Sequence, residues 1–151
     1  GENRVRSRIG LEAEAVDVDA SINLLDLVQD ASETQPIDCV LVDEAQFLSA
    51  DQVDQLTEIV DALNIPVLAY GLRTDFLGAL FEGSRQLLAL SDELREIKTI
   101  CHCGRKATMV VRFDGEEQPM HSGDQIQIGG NETYVSMCRR HFKESLKIAA
   151  P

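Results

Sequence analysis

The sequence predicts an α/β fold: a parallel sheet with a crossover helix, followed by a small metal-binding lobe. Three observations predict it. Short apolar runs at residues 37–42 and 65–70 bracket a stripe of helical period. Two adjacent carboxylates, Asp43 and Glu44, directly follow the first run. Two close pairs of metal-ligand type, Cys101 with Cys103 and Cys138 with His141, lie in the last third of the chain.

The elements follow in order. Residues 1–20 are polar and mixed, with Arg4, Arg6 and Arg8 close together, and read as a solvated surface or arm. Residues 20–31 place Ile22, Leu25 and Val28 at helical spacing, and Pro36 ends that stretch. The run at 37–42, bounded by polar residues, suits a buried parallel strand. Ser49 and Gln52 have capping-box spacing. Val53, Leu56, Ile59, Val60 and Leu63 continue as a helical stripe, and Asn64 is a C-terminal stop. The run at 65–70 is the second strand, so strand, helix and strand form a right-handed βαβ crossover. Residues 77–90 read as helical, interrupted near Gly83, and residues 96–100 as a strand. Beyond residue 100, Met109 to Phe113 is strand-like and Asp114-Gly115 signals a hairpin turn. Residues 116–133 read as a long loop and 138–148 as a terminal helix.

Length and charge bound the function. A chain of 151 residues suits one domain, or one with a small appendage, and should bury about two thirds of its unfolded surface. Its 44% hydrophobic and 26% charged content is that of a soluble globular protein. A net charge of −12 argues against a nucleic-acid footprint, which needs clustered Lys and Arg. It leaves room for a small anion held by local donors. No apolar run approaches the roughly 20 residues of a membrane span. The first residues carry no apolar signal core, so a cytoplasmic location is expected.

The acidic pair sits where open α/β sheets bind ligands, at the carboxyl end of a strand. One carboxylate there can hold Mg²⁺ beside a nucleotide phosphate, and the other can accept a proton from an attacking hydroxyl. The alternative is a polar strand end that caps the next helix. Asp43-Glu44-Ala45-Gln46 also resembles the second motif of helicases, although helicase cores are longer and carry basic surfaces.

The pairs Cys101/Cys103 and Cys138/His141 are separated by 34 residues. Three thiolates and one imidazole fill a closed tetrahedral Zn²⁺ site with no open position for a catalytic water. Metal binding would then be part of the folding of this lobe. Buried unreactive thiols are the alternative. His102 and His121 read as spare and exposed, and Cys39 as a core residue.

Several segments together resemble the zinc-containing type II thymidine kinases. They are Ser7-Arg8-Ile9-Gly10, Val40 to Leu48, Ile65-Pro66-Val67 with Tyr70 to Phe76, Cys101 to Ala107, Ile128 to Tyr134, and Cys138-Arg139-Arg140-His141. They keep the family's order and approximate spacing from residue 7 onward. The resemblance implies a P-loop-type parallel sheet core over residues 1–98, truncated at its N-terminus. It implies a zinc-ribbon lobe over residues 99–151 with a lasso-like substrate loop. It also implies ATP-dependent phosphorylation of the 5′-hydroxyl of thymidine, with Mg²⁺ and Zn²⁺, in a tetramer.

By position, Glu44 resembles the general base and Asp43 the Mg²⁺-linked acid. Asp43, Glu44, Ala45 and Gln46 resemble part of the ATP site. Phe47, Leu72 and Phe76 resemble the walls around the base, where simple core packing is the alternative. Ile126, Gln127, Ile128 and Gly129 resemble the lasso backbone that reads thymine, Tyr134 the aromatic residue at the nucleoside, and Arg73 a phosphate-side contact. One departure stands out. The family's Gly-x-x-x-x-Gly-Lys-Ser/Thr loop has no counterpart in these 151 residues. Without it the chain by itself is expected to be a poor kinase or none. Two further readings are a non-catalytic zinc-ribbon binding fragment and a helicase-like ATPase.

Overall fold

The computed structural model describes residues 4–6, 9–125 and 133–147. It is a mixed α/β structure with short strands and four α-helices among the described residues. The chain divides into two compact units: residues 1–41 with 48–68, and residues 42–47 with 69–151.

The first unit opens on an exposed antiparallel hairpin, β1 (Arg4–Arg6) with β2 (Glu12–Glu14), where Arg4 lies opposite Glu14. Arg4 also reaches the Glu12 carboxylate at 3.2 Å. The polar arm expected from the sequence is therefore paired in part, with Arg4, Glu12 and Glu14 exposed.

Helix α1 (Leu24–Thr34) begins at Asn23, whose side chain accepts from the Asp26 amide. Helix α2 (Ala50–Asp61) begins with the expected capping box between Ser49 and Gln52. The two helices pack together and bury Leu24 and Val28 on one side and Val53, Leu56 and Ile59 on the other. Side-chain amides of α2 tie it to the start of α1 and the residues before it. The Gln55 carbonyl oxygen accepts from the Leu24 N–H at 2.7 Å. The Gln52 amide donates to the carbonyls of Asp19 and Ile22. Asn64 ends the segment in the left-handed region at φ 56°.

Strands β3 (Val40–Val42) and β4 (Val67–Ala69) pair with each other. Val40 donates to the Pro66 carbonyl and Tyr70 to the Val42 carbonyl, so both strands advance in the same direction and the pairing is parallel. The expectation of buried strands is not met. Leu41 is 69% exposed, Leu68 is exposed, and Cys39 is exposed rather than in a core. The physical reason is the extent of the sheet: among the described residues it has two strands, and a strand is buried on both faces only when layers cover both.

In the second unit, α3 (Glu82–Leu90) starts later than the periodicity suggests. Residues 75–80 instead form a turn, in which Asp75 accepts from the amides of Leu77 and Ala79. Gly83 lies inside the helix, at its second residue, where few intrahelical bonds depend on it. Hairpin β5 (Thr99–Ile100) with β6 (Lys106–Ala107) and hairpin β7 (Met109–Phe113) with β8 (Thr133–Met137) are antiparallel. Helix α4 (Arg139–Lys147) follows. Together they bury Cys101, Ala107, Val111, Met137, Cys138 and Phe142 in one apolar cluster. The turn after β7 forms at Asp114, but the residue with positive φ is Glu117, not Gly115. The Asp114 carboxylate satisfies the amides of Glu116 and Gln118 instead.

Candidate functional site

The metal-ligand pairs converge as the spacing predicts. The turn between β5 and β6 presents Cys101 and Cys103, closed by a Gly104-to-Cys101 hydrogen bond with Gly104 at φ +79°. Cys138 precedes α4, and His141 lies in that helix's first turn. The four donor atoms lie within 4.8 Å of one another. Individual separations are 3.2 Å for Cys101 Sγ to His141 Nδ1, 3.7 Å for Cys138 Sγ to His141 Nδ1, and 3.9 Å for Cys103 Sγ to Cys138 Sγ.

A tetrahedral ion with Zn–S bonds of about 2.3 Å needs S–S edges of roughly 3.8 Å, so the donor set fits Zn²⁺. The electrostatics agree. The Cys103 amide and the His141 ring hold the Cys101 thiol down to about 5. The Arg105 amide favours a Cys103 thiolate too, but burial and the neighbouring Cys101 and Cys138 sulfurs outweigh it and push that thiol up. The sulfurs disfavour one another's charge at this range, and a dication among the four donors would remove the conflict. Glu144 stands 3.8 Å from His141 Nε2, on the side away from the thiols. His102 is exposed, as expected, yet its ring stacks on His141 at 4.2 Å. His121 is half-buried rather than exposed.

The carboxylate site is built at the end of β3. Asp43 and Glu44 are both exposed there, and Asp43 accepts from the Glu44 amide at 2.9 Å. Glu44 has φ 51°, a left-handed conformation that is uncommon for Glu and costs backbone strain. Two backbone bonds hold it: Ala45 N–H to the Tyr70 carbonyl at 2.8 Å, and Phe47 N–H to the Glu44 carbonyl at 3.0 Å.

Gln46, 2% exposed, connects this corner to the next strand end. Its amide donates to the Glu44 carboxylate, and its carbonyl oxygen accepts from the Leu72 N–H at 3.0 Å. Gly71 makes room for it, since a Cβ there would lie 2.5 Å from Gln46 Oε1 and 3.0 Å from the Gln46 nitrogen. Gly71→Ala is therefore expected to displace Gln46. The overpacking should cost about 1–3 kcal/mol, read as a lowered midpoint in thermal denaturation; an unchanged midpoint would show that the corner yields without penalty.

Leu72 and Phe76, two of the three expected wall residues, and Tyr134, the aromatic residue expected at the nucleoside, line one cavity of about 20 Å³, room for about one water. Thr74, Asp75, Phe81, Val110 and Gln125 complete its lining. Phe47 does not line it but meets Phe81 edge-to-face at 5.7 Å. Ile126, Gln127, Ile128 and Gly129 lie outside the described residues. Arg73 donates to the Thr108 carbonyl at 3.4 Å.

A family profile for thymidine kinase matches residues 1–142. The chain belongs to the thymidine kinase family. It is similar to the thymidine kinase of Rhodopirellula baltica, with 59% identity over 146 residues, 97% of this chain and 69% of that protein. The Vibrio cholerae thymidine kinase is 59% identical over 97% of this chain and 76% of its own length. The Yersinia pestis thymidine kinase is 54% identical over 99% and 76%.

Two features of the site escaped the sequence reading. Asp75 and Gln125 face one another across it, with Gln125 Nε2 2.9 Å from Asp75 Oδ2. Arg112 is fully buried with its guanidinium 3.8 Å from the Phe76 ring centroid. The available signal for Arg112 was a single charge within the apolar strand Met109-Val110-Val111-Arg112-Phe113.

Proposed function

We propose that the chain belongs to an enzyme that transfers the γ-phosphoryl group of ATP to the 5′-hydroxyl of thymidine. The observation that carries this reading is the linkage through Gln46. That one side chain joins the strained Glu44 to the backbone of Leu72, which lines the apolar cavity. A carboxylate and an apolar pocket held in fixed relation are what a nucleoside kinase needs, because phosphoryl transfer depends mainly on positioning.

In this reading Glu44 accepts the proton as the 5′-hydroxyl attacks, and Gln46 holds its carboxylate. Asp43 serves the Mg²⁺ of the nucleotide, whose charge neutralises the phosphate oxygens, and Asp43 to Gln46 flank ATP. Leu72, Phe76 and Tyr134 enclose the thymine ring, with Phe47 supporting them through Phe81. Ile126 to Gly129 read the edge of the base with backbone groups. Cys101, Cys103, Cys138 and His141 hold a structural Zn²⁺ that fixes the lobe carrying β7 and β8. The core belongs to a P-loop-type parallel sheet over residues 1–98, with the zinc lobe at 99–151. The enzyme works in the cytoplasm as a tetramer.

Thymidine titration by calorimetry tests the pocket. The cavity must widen to admit a pyrimidine, so binding should be accompanied by protection of the β7 and β8 amides from hydrogen exchange. Thymidine is expected to bind at least tenfold more tightly than deoxyguanosine. Equal affinity for the two nucleosides would remove the assignment of Leu72, Phe76 and Tyr134 to the base.

A further inference from the structure

Arg112 is the largest fully buried side chain among the described residues. Its neighbour Phe76 is 2% exposed and lines the cavity assigned above to thymine. We propose that Arg112 is a positioning residue for that pocket: it sets the angle of the Phe76 wall and fixes the 120–125 segment that closes the other side. This inference rests on the proposed base pocket and adds to it a residue that does not line the cavity.

Three observations converge. First, the guanidinium lies over the Phe76 ring at 3.8 Å, a cation–π stack that fixes the plane of the ring as well as its place. Second, the same group holds the returning chain. Arg112 Nη1 donates to the Asp124 carbonyl at 3.1 Å, and Nε reaches the Met120 sulfur at 3.2 Å. The Met120 N–H in turn donates to the Arg112 carbonyl at 2.8 Å. Third, the backbone is shaped around the guanidinium. Gly123 adopts φ +133°, and a Cβ there would overlap Arg112 Nη2.

The position of this arrangement gives it its role. Gln125 follows Asp124 directly. Its amide crosses to the Asp75 carboxylate at 2.9 Å and to the Leu80 carbonyl at 3.4 Å. Asp75 precedes Phe76. One end of the 120–125 segment is thus fastened to Arg112 and the other to the residue beside Phe76, and Arg112 itself stacks on Phe76. The two walls of the cavity share a single support. A core-filling role alone does not require this residue, because an aliphatic side chain packs against Phe76 without the desolvation cost of a buried charge. Only a planar, charged, multiply donating group can stack on the ring and hold the Asp124 carbonyl together.

The test uses thymidine as the probe, calorimetry at a temperature well below each protein's unfolding midpoint, and two variants. Arg112→Lys keeps the charge and loses the planar stack. Gly123→Ala keeps the arginine and pushes its tip aside, which provides a reading if Arg112→Lys does not fold. Each folded variant is expected to bind thymidine at least tenfold more weakly while retaining the zinc content of the unsubstituted protein. A purely structural role would lower the midpoint and leave affinity at the lower temperature within about twofold, and that result overturns the proposal. Failure of the unsubstituted protein to bind thymidine is a different outcome. It removes the base-pocket reading itself, and this role with it.

Discussion

Glu44→Gln is expected to lower the rate of thymidine phosphorylation by about 10²–10⁴-fold, the range for losing a general base. The assay belongs in a polypeptide that also carries the family's Gly-x-x-x-x-Gly-Lys-Ser/Thr loop. The substitution is nearly isosteric, and Gln46 can still donate to the remaining carbonyl oxygen of residue 44, so the link from Gln46 to Leu72 should survive. Thymidine affinity should therefore stay within about twofold while kcat falls. The 5′-hydroxyl is a weak nucleophile at neutral pH and needs an acceptor as its proton leaves, whereas the rest of the barrier is lowered by positioning and charge neutralisation. Residual activity is expected for that reason. Asp43→Asn should behave differently, raising the KM for MgATP while leaving thymidine affinity unchanged. A fully active Glu44→Gln enzyme would take Glu44 out of this role, and a variant that lost thymidine binding as well would show that Glu44 shapes the pocket.

What the sequence makes legible and what it does not follows from the range of the interactions. The capping box at Ser49 and Gln52, the stop at Asn64 and the start of α4 are decided within a few residues, and each stands where the pattern puts it. The cluster of Cys101, Cys103, Cys138 and His141 is legible although its pairs lie far apart, because each pair is local and thiols with imidazole have few other reasons to gather. The late start of α3 was hidden because one carboxylate, Asp75, captures the amides of Leu77 and Ala79 and holds residues 75–80 in a turn that periodicity does not register. Positive φ at Glu117 in place of Gly115 has the same kind of cause, two amides satisfied by Asp114.

The connections that assemble the site are long-range in sequence. Gln46 meets Leu72 across 26 positions, and Gln125 meets Asp75 across 50. Nothing in the neighbourhood of either residue announces its partner. Gly71 makes the same point in reverse: it has no special backbone angle, and only the approach of Gln46 explains why a side chain does not fit there.

Removal of the metal is expected to unfold the lobe built on β5 to β8 and α4. Purified protein should contain about one Zn²⁺ per chain, and Cys138→Ser, or a strong chelator, should release it. The magnitude decides the outcome. Structural zinc contributes an apparent ~10–16 kcal/mol in small zinc domains at neutral pH, as much as the entire ~5–15 kcal/mol stability of an ordinary domain. Cys101 and Cys138 are members of the apolar cluster with Val111, Met137 and Phe142, so loss of the ion leaves crowded thiols inside the lobe's own core. Proteolysis at the basic residues between Arg105 and Lys147 should then become rapid. The signal from α1 and α2, whose buried residues belong to the first unit, should persist in circular dichroism.

The acid side of the transition has a defined sign. The Cys101 thiol is held at about 5, below the ordinary thiol range near 8.5, by the Cys103 amide and His141. Its thiolate therefore supports the folded lobe in full above that range, and the support is lost as pH falls through about 5. Protons compete with the ion for the same sulfurs, so zinc should be retained at neutral pH and released in acid. Protease resistance that persists in zinc-free Cys138→Ser protein would show that the apolar cluster folds the lobe unaided and that the ion is dispensable.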